Sequence, residues 1–277
     1  MTRLHVASTD DWLREPPDRR VAVTDPPAWT PRPHRGTLVV MARLPLLVLL
    51  LLCSAGARAE PPLDYVEVLT GGAAAEEPLP LVVAIHGLGD RPEAFSGLVR
   101  GLNAKARVIV PRAPEPHGGG GSWYPTRAVE PSDSARAEAI RSSAERIAAL
   151  VTQVRAAHPS RGRTIVTGFS QGGVLSFVLA TRHPSLIALA VPLAGTLPPE
   201  LVPQGRAPAR APPIVALHGQ GDTVHPVGPT REVVERLREA GWDVQLRTWA
   251  GVGHTVPGPM REAMAKLLES EIRAQSR

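Results

Sequence analysis

Apolar runs separated by amphipathic segments occupy most of the chain after residue 60. Continuous aliphatic and β-branched runs at 81–85, 164–167 and 214–217 are typical of buried parallel strands. Further strands are predicted at 65–69, 107–110, 186–192 and 244–249, and helices at 92–103, 132–158, 174–180, 230–240 and 260–272. This alternation of strand and helix predicts an α/β fold with a mostly parallel central sheet and helices on both faces.

The first 59 residues have a different pattern. Residues 41–59 contain a short basic segment, an apolar stretch at 44–57 and a small-x-small site before Glu60, which predicts a signal peptide. The stretch is too short to span a membrane comfortably. Residues 1–40 lack an apolar period and are predicted to be disordered or mis-assigned, with translation starting at Met41. An uncleaved signal-anchor stays an alternative, whereas lipoprotein processing at Cys53 is disfavoured by the bulky Leu52 before it.

The remaining part, 60–277, has the size of one domain and can bury a substantial core. It holds 23 basic and 21 acidic residues without a basic run, which excludes a nucleic-acid footprint. The single cysteine of the chain lies in the predicted signal peptide, so neither a disulfide nor a cysteine nucleophile is expected after cleavage. We therefore expect an exported protein, periplasmic or secreted, with no stable membrane span; its oligomeric state stays open.

The segment 168–173, Gly-Phe-Ser-Gln-Gly-Gly, lies between a predicted strand and a predicted helix. A G-x-S-x-G turn in this context is typical of a nucleophile elbow, in which flanking glycines let strand and helix approach a strained serine. Ser170 would then present its hydroxyl at a helix N-terminus, where the helix dipole favours negative charge. The alternative is that Ser170 is only a turn residue.

Two further residues complete a catalytic triad in the order Ser, Asp, His. Asp222 follows the strand at 214–217 and His254 follows the strand at 244–249. Because loops after parallel strands meet at one edge of the sheet, the three side chains are expected to converge. His254 would accept the serine proton, and Asp222 would orient the imidazole. Asp243 is an alternative acid, but it begins a strand and does not follow one.

An oxyanion needs two backbone N–H donors, and Gln171 and Leu88 are the candidates. Gln171 follows the nucleophile, and Leu88 lies in the loop 86–90 after the strand at 81–85. His86 and His218 each precede a glycine at a strand end, which favours structural hydrogen bonding over a role as second base. A metal site formed by His218 and His225 matches no common ligand spacing, so no metal is expected. Asp133 is interpreted as a first-turn acid of a helix.

Together, these motifs resemble the phospholipase/carboxylesterase family of α/β-hydrolases, which includes the acyl-protein thioesterases. The aromatic pair Trp123-Tyr124 and the segment 194–198, with Ala194 in place of the family's serine, are weaker similarities. The resemblance covers essentially all of the chain after residue 60. It implies hydrolysis of carboxylic esters or thioesters without a metal or organic cofactor.

The substrate is expected to be a small or lipid-like acyl ester of short to medium chain length, cleaved through an acyl-enzyme intermediate. The proline-rich segment between Pro192 and Ile214 is too short for a compact cap domain. An open groove is therefore expected, bordered by the Leu88 loop, a flexible glycine-rich loop at 118–123 and the segment 197–198, with Trp123 and Leu197 contacting substrate. The alternatives are an exported polyester or feruloyl-type esterase and a catalytically silent binding protein on the same fold.

Overall fold

The computed structural model describes residues 62–126 and 132–277 of the chain. The predicted extension 1–40 and the predicted signal peptide 41–59, with its cleavage site before Glu60, lie outside these residues and stay predictions. Among the helices of the described ranges, none is long and apolar enough to cross a membrane.

The strands of the described part form a seven-stranded sheet and a separate hairpin. In chain order they are β1 (Tyr65–Thr70), β2 (Leu79–Ile85), β3 (Ala106–Pro111), β4 (Glu115–His117), β5 (Gly120–Ser122), β6 (Ser160–Phe169), β7 (Ile187–Leu193), β8 (Ile214–Gly219) and β9 (Val244–Trp249). The large sheet has the order β1-β3-β2-β6-β7-β8-β9, and β4 pairs with β5 in the hairpin. Only β1 is antiparallel to its neighbour in the large sheet, so the predicted mostly parallel sheet is confirmed.

Helices cover both faces of this sheet. They are α1 (Pro92–Phe95), α2 (Asp133–Ala157), α3 (Gln171–Arg182), α4 (Val227–Glu239) and α5 (Gly258–Gln275). Side chains alternate between the faces of a strand, and β2 shows the result. Leu81 and Val83 pack in one apolar cluster with α2, α3 and α4, whereas Val82 and Ala84 pack in a second cluster with α5. The sheet is thus buried on both sides.

The strand order reverses between β2 and β6. From β2 the chain proceeds to β3 on one side, whereas from β6 it proceeds through β7 and β8 to β9 on the other. The loops that follow β2 and β6 consequently diverge and leave a crevice at the carboxyl ends of these strands, where open α/β sheets bind their ligands. Ile85 at the end of β2 pairs with Gly168 near the end of β6, which places both loops at the same level.

Two local predictions were wrong. The predicted helix at 92–103 is only the single turn of α1 followed by a 3-10 turn at Ser96–Leu98. Gly97 and Gly101 weaken helical propensity here, and the Ser96 hydroxyl donates to the Glu93 carbonyl at 2.7 Å. The glycine-rich segment 118–123, predicted to be a loop, contains β5 and forms a hairpin with β4. The segment 194–213 carries a 3-10 turn, Pro199–Leu201, and no cap domain, as predicted.

Candidate active site

Ser170 occupies the turn between β6 and α3 with a backbone conformation that L-residues rarely adopt. Its φ is 57° and its ψ is −116°. Two backbone hydrogen bonds of 3.0 Å hold it there: the Ser170 N–H donates to Leu193, and the Ser170 carbonyl accepts from Val174. A strained conformation of this kind persists only where the surrounding structure enforces it. The turn presents Ser170 at the head of α3, as a nucleophile elbow requires.

The glycines of the elbow are sterically required. A Cβ on Gly172 would lie 2.0 Å from the Ile85 carbonyl oxygen, and a Cβ on Gly168 would lie 2.5 Å from the Gly172 carbonyl oxygen. Both distances are far below van der Waals contact and involve backbone atoms, which cannot move aside. Strand β6 and helix α3 can therefore meet at this angle only if both residues lack a side chain.

The structure brings the three predicted triad residues into one chain of hydrogen bonds. His254 Nε2 lies 2.9 Å from Ser170 Oγ, and His254 Nδ1 lies 2.7 Å from Asp222 Oδ2. Ser170 is 8 % exposed and Asp222 is 4 % exposed. The Nδ1 proton is therefore donated to the carboxylate, which leaves the Nε2 lone pair directed at the serine hydroxyl.

Asp222 is held as a carboxylate by donors on both of its oxygens. Burial alone would raise the pKa of Asp222, but the hydrogen bond from His254 and the backbone N–H groups of His225 and Val224 outweigh it and lower the pKa. Those two N–H groups donate to Oδ1 at 2.8 Å and 2.9 Å. The acid is thus fixed in orientation and ionised at neutral pH.

The loops that carry Asp222 and His254 pack directly on each other. Gly221 N–H donates to the Val252 carbonyl at 2.9 Å, and a Cβ on Gly219 would lie 2.3 Å from the same oxygen. Asp243, the alternative acid, is exposed at the start of β9, where its carbonyl accepts from Ile214 N–H. It lies at the amino end of its strand, opposite the edge that carries Ser170, so the structure rules it out as the triad acid.

The two predicted oxyanion donors lie on either side of the crevice. Within the described ranges, neither the Leu88 N–H nor the Gln171 N–H donates a hydrogen bond to another group. The loop of Leu88 approaches the nucleophile closely, since a Cβ on Gly87 would lie 3.3 Å from Ser170 Cβ. Both amides are available to a substrate oxygen beside Ser170 Oγ.

Two buried side chains fix the backbone of the Leu88 loop. His86 donates from Nδ1 to the Gly87 carbonyl at 2.7 Å and accepts at Nε2 from the Ala113 N–H at 3.2 Å. Burial lowers the pKa of His86, which keeps the imidazole neutral in this tautomer. The indole N–H of Trp123 donates to the His86 carbonyl at 3.0 Å. His86 is therefore a structural residue, in agreement with the sequence-based interpretation.

The sequence analysis predicted that the glycine-rich run Gly118–Gly121 is a flexible loop, and the structure shows that this prediction was wrong. It closes the hairpin of β4 and β5, with Gly118 at a φ of 55°. Gly121 N–H donates to Asp90 at 3.1 Å, and Gly89 N–H donates to Gly121 at 2.8 Å. A Cβ on Gly120 would lie 2.3 Å from the Asp90 carbonyl oxygen. The glycines allow the hairpin to pack flat against the loop that presents the Leu88 amide.

The Gln171 side chain joins the elbow to this hairpin, a role that the sequence analysis missed. Its Oε1 accepts from Trp123 N–H at 2.9 Å, and its Nε2 donates to the Tyr124 carbonyl at 3.0 Å and to Ser122 Oγ at 3.2 Å. Trp123 in turn holds His86. A continuous path of hydrogen bonds thus connects the two loops that supply the oxyanion amides.

The expected substrate contacts of Trp123 and Leu197 are corrected by the structure. Trp123 is 2 % exposed and Leu197 is 1 % exposed, and both belong to the apolar core. Neither offers surface to a substrate. The cavity beside His254 has a volume of about 450 Å³ and is bordered mainly by other residues. Its lining includes Phe95, Leu98, Phe169 and Val256, with Asp90 and Arg261 at the polar part.

Two more histidines lie near the triad. His218 is fully buried and donates from Nε2 to the His225 carbonyl at 2.6 Å, so it supports the acid loop and does not act as a second base. The His225 ring lies 5.5 Å from the His254 ring, which also contacts Phe169 at 4.7 Å. Across the described residues, no three His, Cys, Asp or Glu side chains are grouped as metal ligands.

Comparisons with known proteins agree on the type of fold. The Phospholipase/Carboxylesterase family model matches residues 69–272. Acyl-protein thioesterase 1 of Neurospora crassa is 29 % identical over 208 residues, 63 % of this chain and 79 % of that protein. An Oryza sativa subsp. japonica protein named "Probable inactive carboxylesterase" is 25 % identical over 198 residues, covering 63 % and 78 %. The crystal structure of esterase PE8 shares the fold at 23 % identity, with a TM-score of 0.64, covering 76 % of this chain and 100 % of that chain.

Proposed function

The chain belongs to the phospholipase/carboxylesterase family, and we propose that it is a serine hydrolase that cleaves carboxylic esters or thioesters of short to medium acyl chains. One observation carries the proposal: Ser170 Oγ, His254 and Asp222 form a continuous hydrogen-bonded chain at the crevice between β2 and β6. A serine hydroxyl is a weak nucleophile on its own, so it needs a base in contact with it.

In the first half of the proposed reaction, Ser170 Oγ attacks the acyl carbon while His254 Nε2 takes the hydroxyl proton. The carbonyl oxygen becomes an oxyanion, which accepts hydrogen bonds from the Leu88 and Gln171 amides. His254 then gives its proton to the departing alkoxide or thiolate, and the acyl group stays on Ser170. Asp222 stabilises the imidazolium without taking its proton.

In the second half, water replaces the leaving group. His254 Nε2 removes a proton from water as the hydroxide attacks the acyl carbon of the Ser170 ester. The second tetrahedral oxyanion occupies the same two amides. His254 returns the proton to Ser170 Oγ as the ester bond breaks, and the carboxylic acid leaves. An ester or thioester and water are consumed, and an alcohol or thiol and a carboxylic acid are produced.

The apolar cavity beside His254 supports a short to medium acyl chain. Its volume of about 450 Å³ lies in the range of small-molecule sites, and Leu98 and Val256 supply apolar surface next to the triad. An acyl chain that leaves water for this surface gains binding energy roughly in proportion to the area it buries. The size of this apolar surface is therefore expected to favour acyl chains of short to medium length.

A 4-nitrophenyl ester series from acetate to dodecanoate tests the proposal on the full chain. We expect a maximum of kcat/KM among the shorter esters, and a loss of about 10³-fold or more in kcat for Ser170→Ala. Leu98→Trp, which fills the cavity, should move the maximum to shorter chains. A Ser170→Ala variant with undiminished activity would refute the proposal, and an unshifted maximum in Leu98→Trp would place the acyl chain elsewhere.

A catalytically silent binding protein is the second candidate, because the rice relative is named as inactive. A binding protein does not need a base in contact with the serine hydroxyl, and here the His254 contact is 2.9 Å. The same ester series distinguishes the two functions. If the protein is catalytically silent, the wild type should hydrolyse every ester at the same rate as Ser170→Ala.

A further inference from the structure

The cavity beside His254 is lined by two opposite charges as well as by apolar side chains. Leu98 and Val256 are among the apolar residues, and Asp90 and Arg261 line the same volume of about 450 Å³. A plain hydrocarbon chain forms no hydrogen bond with a carboxylate or a guanidinium. The presence of both groups in a cavity next to the triad therefore indicates that its ligand also carries a polar group.

Asp90 reaches this cavity from the end of the loop after β2. Its carbonyl accepts from Gly121 N–H at 3.1 Å, and its Oδ1 accepts from Arg91 N–H at 2.7 Å. These bonds fix both the backbone and the side chain of Asp90. Among the described residues, no donor bonds to the other carboxylate oxygen, Oδ2. Asp90 thus offers an oxygen of an oriented, half-buried carboxylate to a donor in the cavity.

Arg261 reaches the same cavity from the first turn of α5. Its N–H donates to the Pro257 carbonyl at 2.9 Å, and it is the fourth residue of the helix. The helix dipole disfavours a cation in this turn, so helix stability does not explain an arginine there. No nitrogen of Arg261 lies within 4.0 Å of an Asp90 carboxylate oxygen. The two charges therefore line one cavity without forming an ion pair with each other.

The two charges together distinguish between the groups that an acyl chain can carry at its far end. A carboxylate would be attracted by Arg261 but repelled by Asp90, and an ammonium group would have the reverse problem. A methyl group would displace water from both charges without replacing its hydrogen bonds. A hydroxyl group donates one hydrogen bond and accepts others, so it can bond to Asp90 and to Arg261 at the same time.

We propose that Asp90 and Arg261 bind a hydroxyl group at the far end of the acyl chain, so that the preferred substrates are esters of ω-hydroxy acids. The proposal rests on the proposed hydrolase function and specifies its substrate class. The hydroxyl would donate to Asp90 Oδ2 and accept from the Arg261 guanidinium, and both bonds are strengthened by charge. The hydrocarbon part of the chain would lie on the apolar lining, with the acyl carbon at Ser170.

Matched methyl esters test the hydroxyl site on the full chain, with acid release followed in a pH-stat. Methyl 6-hydroxyhexanoate is compared with methyl heptanoate, and methyl 8-hydroxyoctanoate with methyl nonanoate, so that each pair differs only by a hydroxyl in place of a methyl group. We expect the wild type to have the higher kcat/KM for the hydroxy ester at one or both lengths. Monomethyl adipate and monomethyl suberate, which end in a carboxylate, should be hydrolysed more slowly than the hydroxy esters.

Substitutions of the two charges should change these ratios in a way that a purely structural role would not. Arg261→Gln should lower the hydroxy-to-methyl ratio of kcat/KM about fivefold and slow the carboxylate esters further. Asp90→Asn should speed the carboxylate esters relative to the methyl-ended esters about fivefold, because the repulsion is removed. A ratio cancels any general effect of Asp90→Asn on the loop after β2. Lys266→Gln, an exposed charge change on α5 outside the cavity, should leave every ratio unchanged.

A binding measurement separates this proposal from the hydrolase proposal. Both hydroxy esters are titrated by saturation-transfer NMR into Ser170→Ala and into Ser170→Ala combined with Arg261→Gln, with circular dichroism to verify that both variants are folded. Weaker binding by the double variant supports the hydroxyl site even if the wild type hydrolyses no ester, a result that would refute the hydrolase proposal alone. Equal binding by the two variants, a hydroxy-to-methyl ratio that Arg261→Gln does not change, or a wild type that prefers the carboxylate esters overturns the hydroxyl site.

Discussion

At the scale of single residues, the site depends on side chains whose partners are far away in sequence. The order Ser170, Asp222, His254 and the elbow glycines were predictable, because the chemistry restricts residue type and the parallel sheet restricts position. The contacts of the Gln171 side chain were not predictable from the sequence. Its side chain reaches a hairpin 48 residues earlier in the chain, and no local pattern encodes that packing. The burial of Trp123 was missed for the same reason.

Removing the Gln171 side chain should therefore impair catalysis without removing any reacting group. In Gln171→Leu the backbone amide stays, but the bonds to Trp123 and Tyr124 are lost and the two oxyanion loops are no longer tied together. We expect kcat to fall about tenfold or more with a smaller change in KM, because misplaced donors affect the transition state most. Steady-state kinetics with 4-nitrophenyl butyrate measures kcat and KM separately and so tests this expectation.

Gln171→Glu is the complementary variant. It keeps the length of the side chain and an acceptor for the Trp123 N–H, but it loses the amide donor to the Tyr124 carbonyl. An intermediate kcat is expected. If both variants raised KM and left kcat unchanged, Gln171 would contribute to substrate binding and not to the placement of the amides.

At the scale of elements, the hairpin of β4 and β5 is the part that sequence patterns missed. A glycine-rich segment between prolines is typical of a loop, and three-residue strands are too short for an alternating pattern to appear. The hairpin forms because tertiary contacts with the loop 86–90 supply its hydrogen bonds, among them the bridge between Asp90 and Gly121. The long helices α2 and α5 were predictable because they carry sustained apolar periodicity.

Neighbouring glycines in the hairpin provide a matched test of this contact. A Cβ at Gly120 would collide with the Asp90 backbone at 2.3 Å, whereas a Cβ at Gly119 would have nothing within 4 Å. Gly120→Ala should displace the loop that carries Leu88 and lower kcat about tenfold or more. Gly119→Ala should keep wild-type kinetics. Equal kinetics for the two variants would show that the hairpin does not position the oxyanion loop.

At the scale of the whole molecule, three buried or partly buried histidines couple the stability of the fold to pH; His86 and His225 lie in the loops after β2 and β8, and His218 lies in β8 itself. Burial lowers the pKa of His86, of His218 and, to about 4, of His225 in the folded protein. In the unfolded chain each returns to a value near 6.5. The unfolded state therefore binds protons more readily than the folded state between these values, and acid favours unfolding.

Stability should accordingly be complete above about pH 6.5 and decrease as the pH falls towards 4. The His225 contribution is at most roughly 3 kcal/mol, from its shift of the pKa to about 4. Urea unfolding at pH 7.5, 6.0 and 4.5 measures the trend. His225→Phe, which keeps an aromatic ring without a titrating group, should flatten it, and His117→Gln, at an exposed position on the hairpin, should not. A pH-independent unfolding midpoint would contradict the account.

Covalent labelling with a fluorophosphonate tests the central claim, that Ser170 is a nucleophile activated by His254. We predict one label per chain, on the tryptic peptide 164–182, with fragment ions that place it on Ser170 and not on Ser176, whose buried hydroxyl donates to the Gly172 carbonyl. Ser170→Ala should abolish labelling, and His254→Ala should slow it by orders of magnitude. Labelling that persists in Ser170→Ala, or a label on another residue, would contradict the claim.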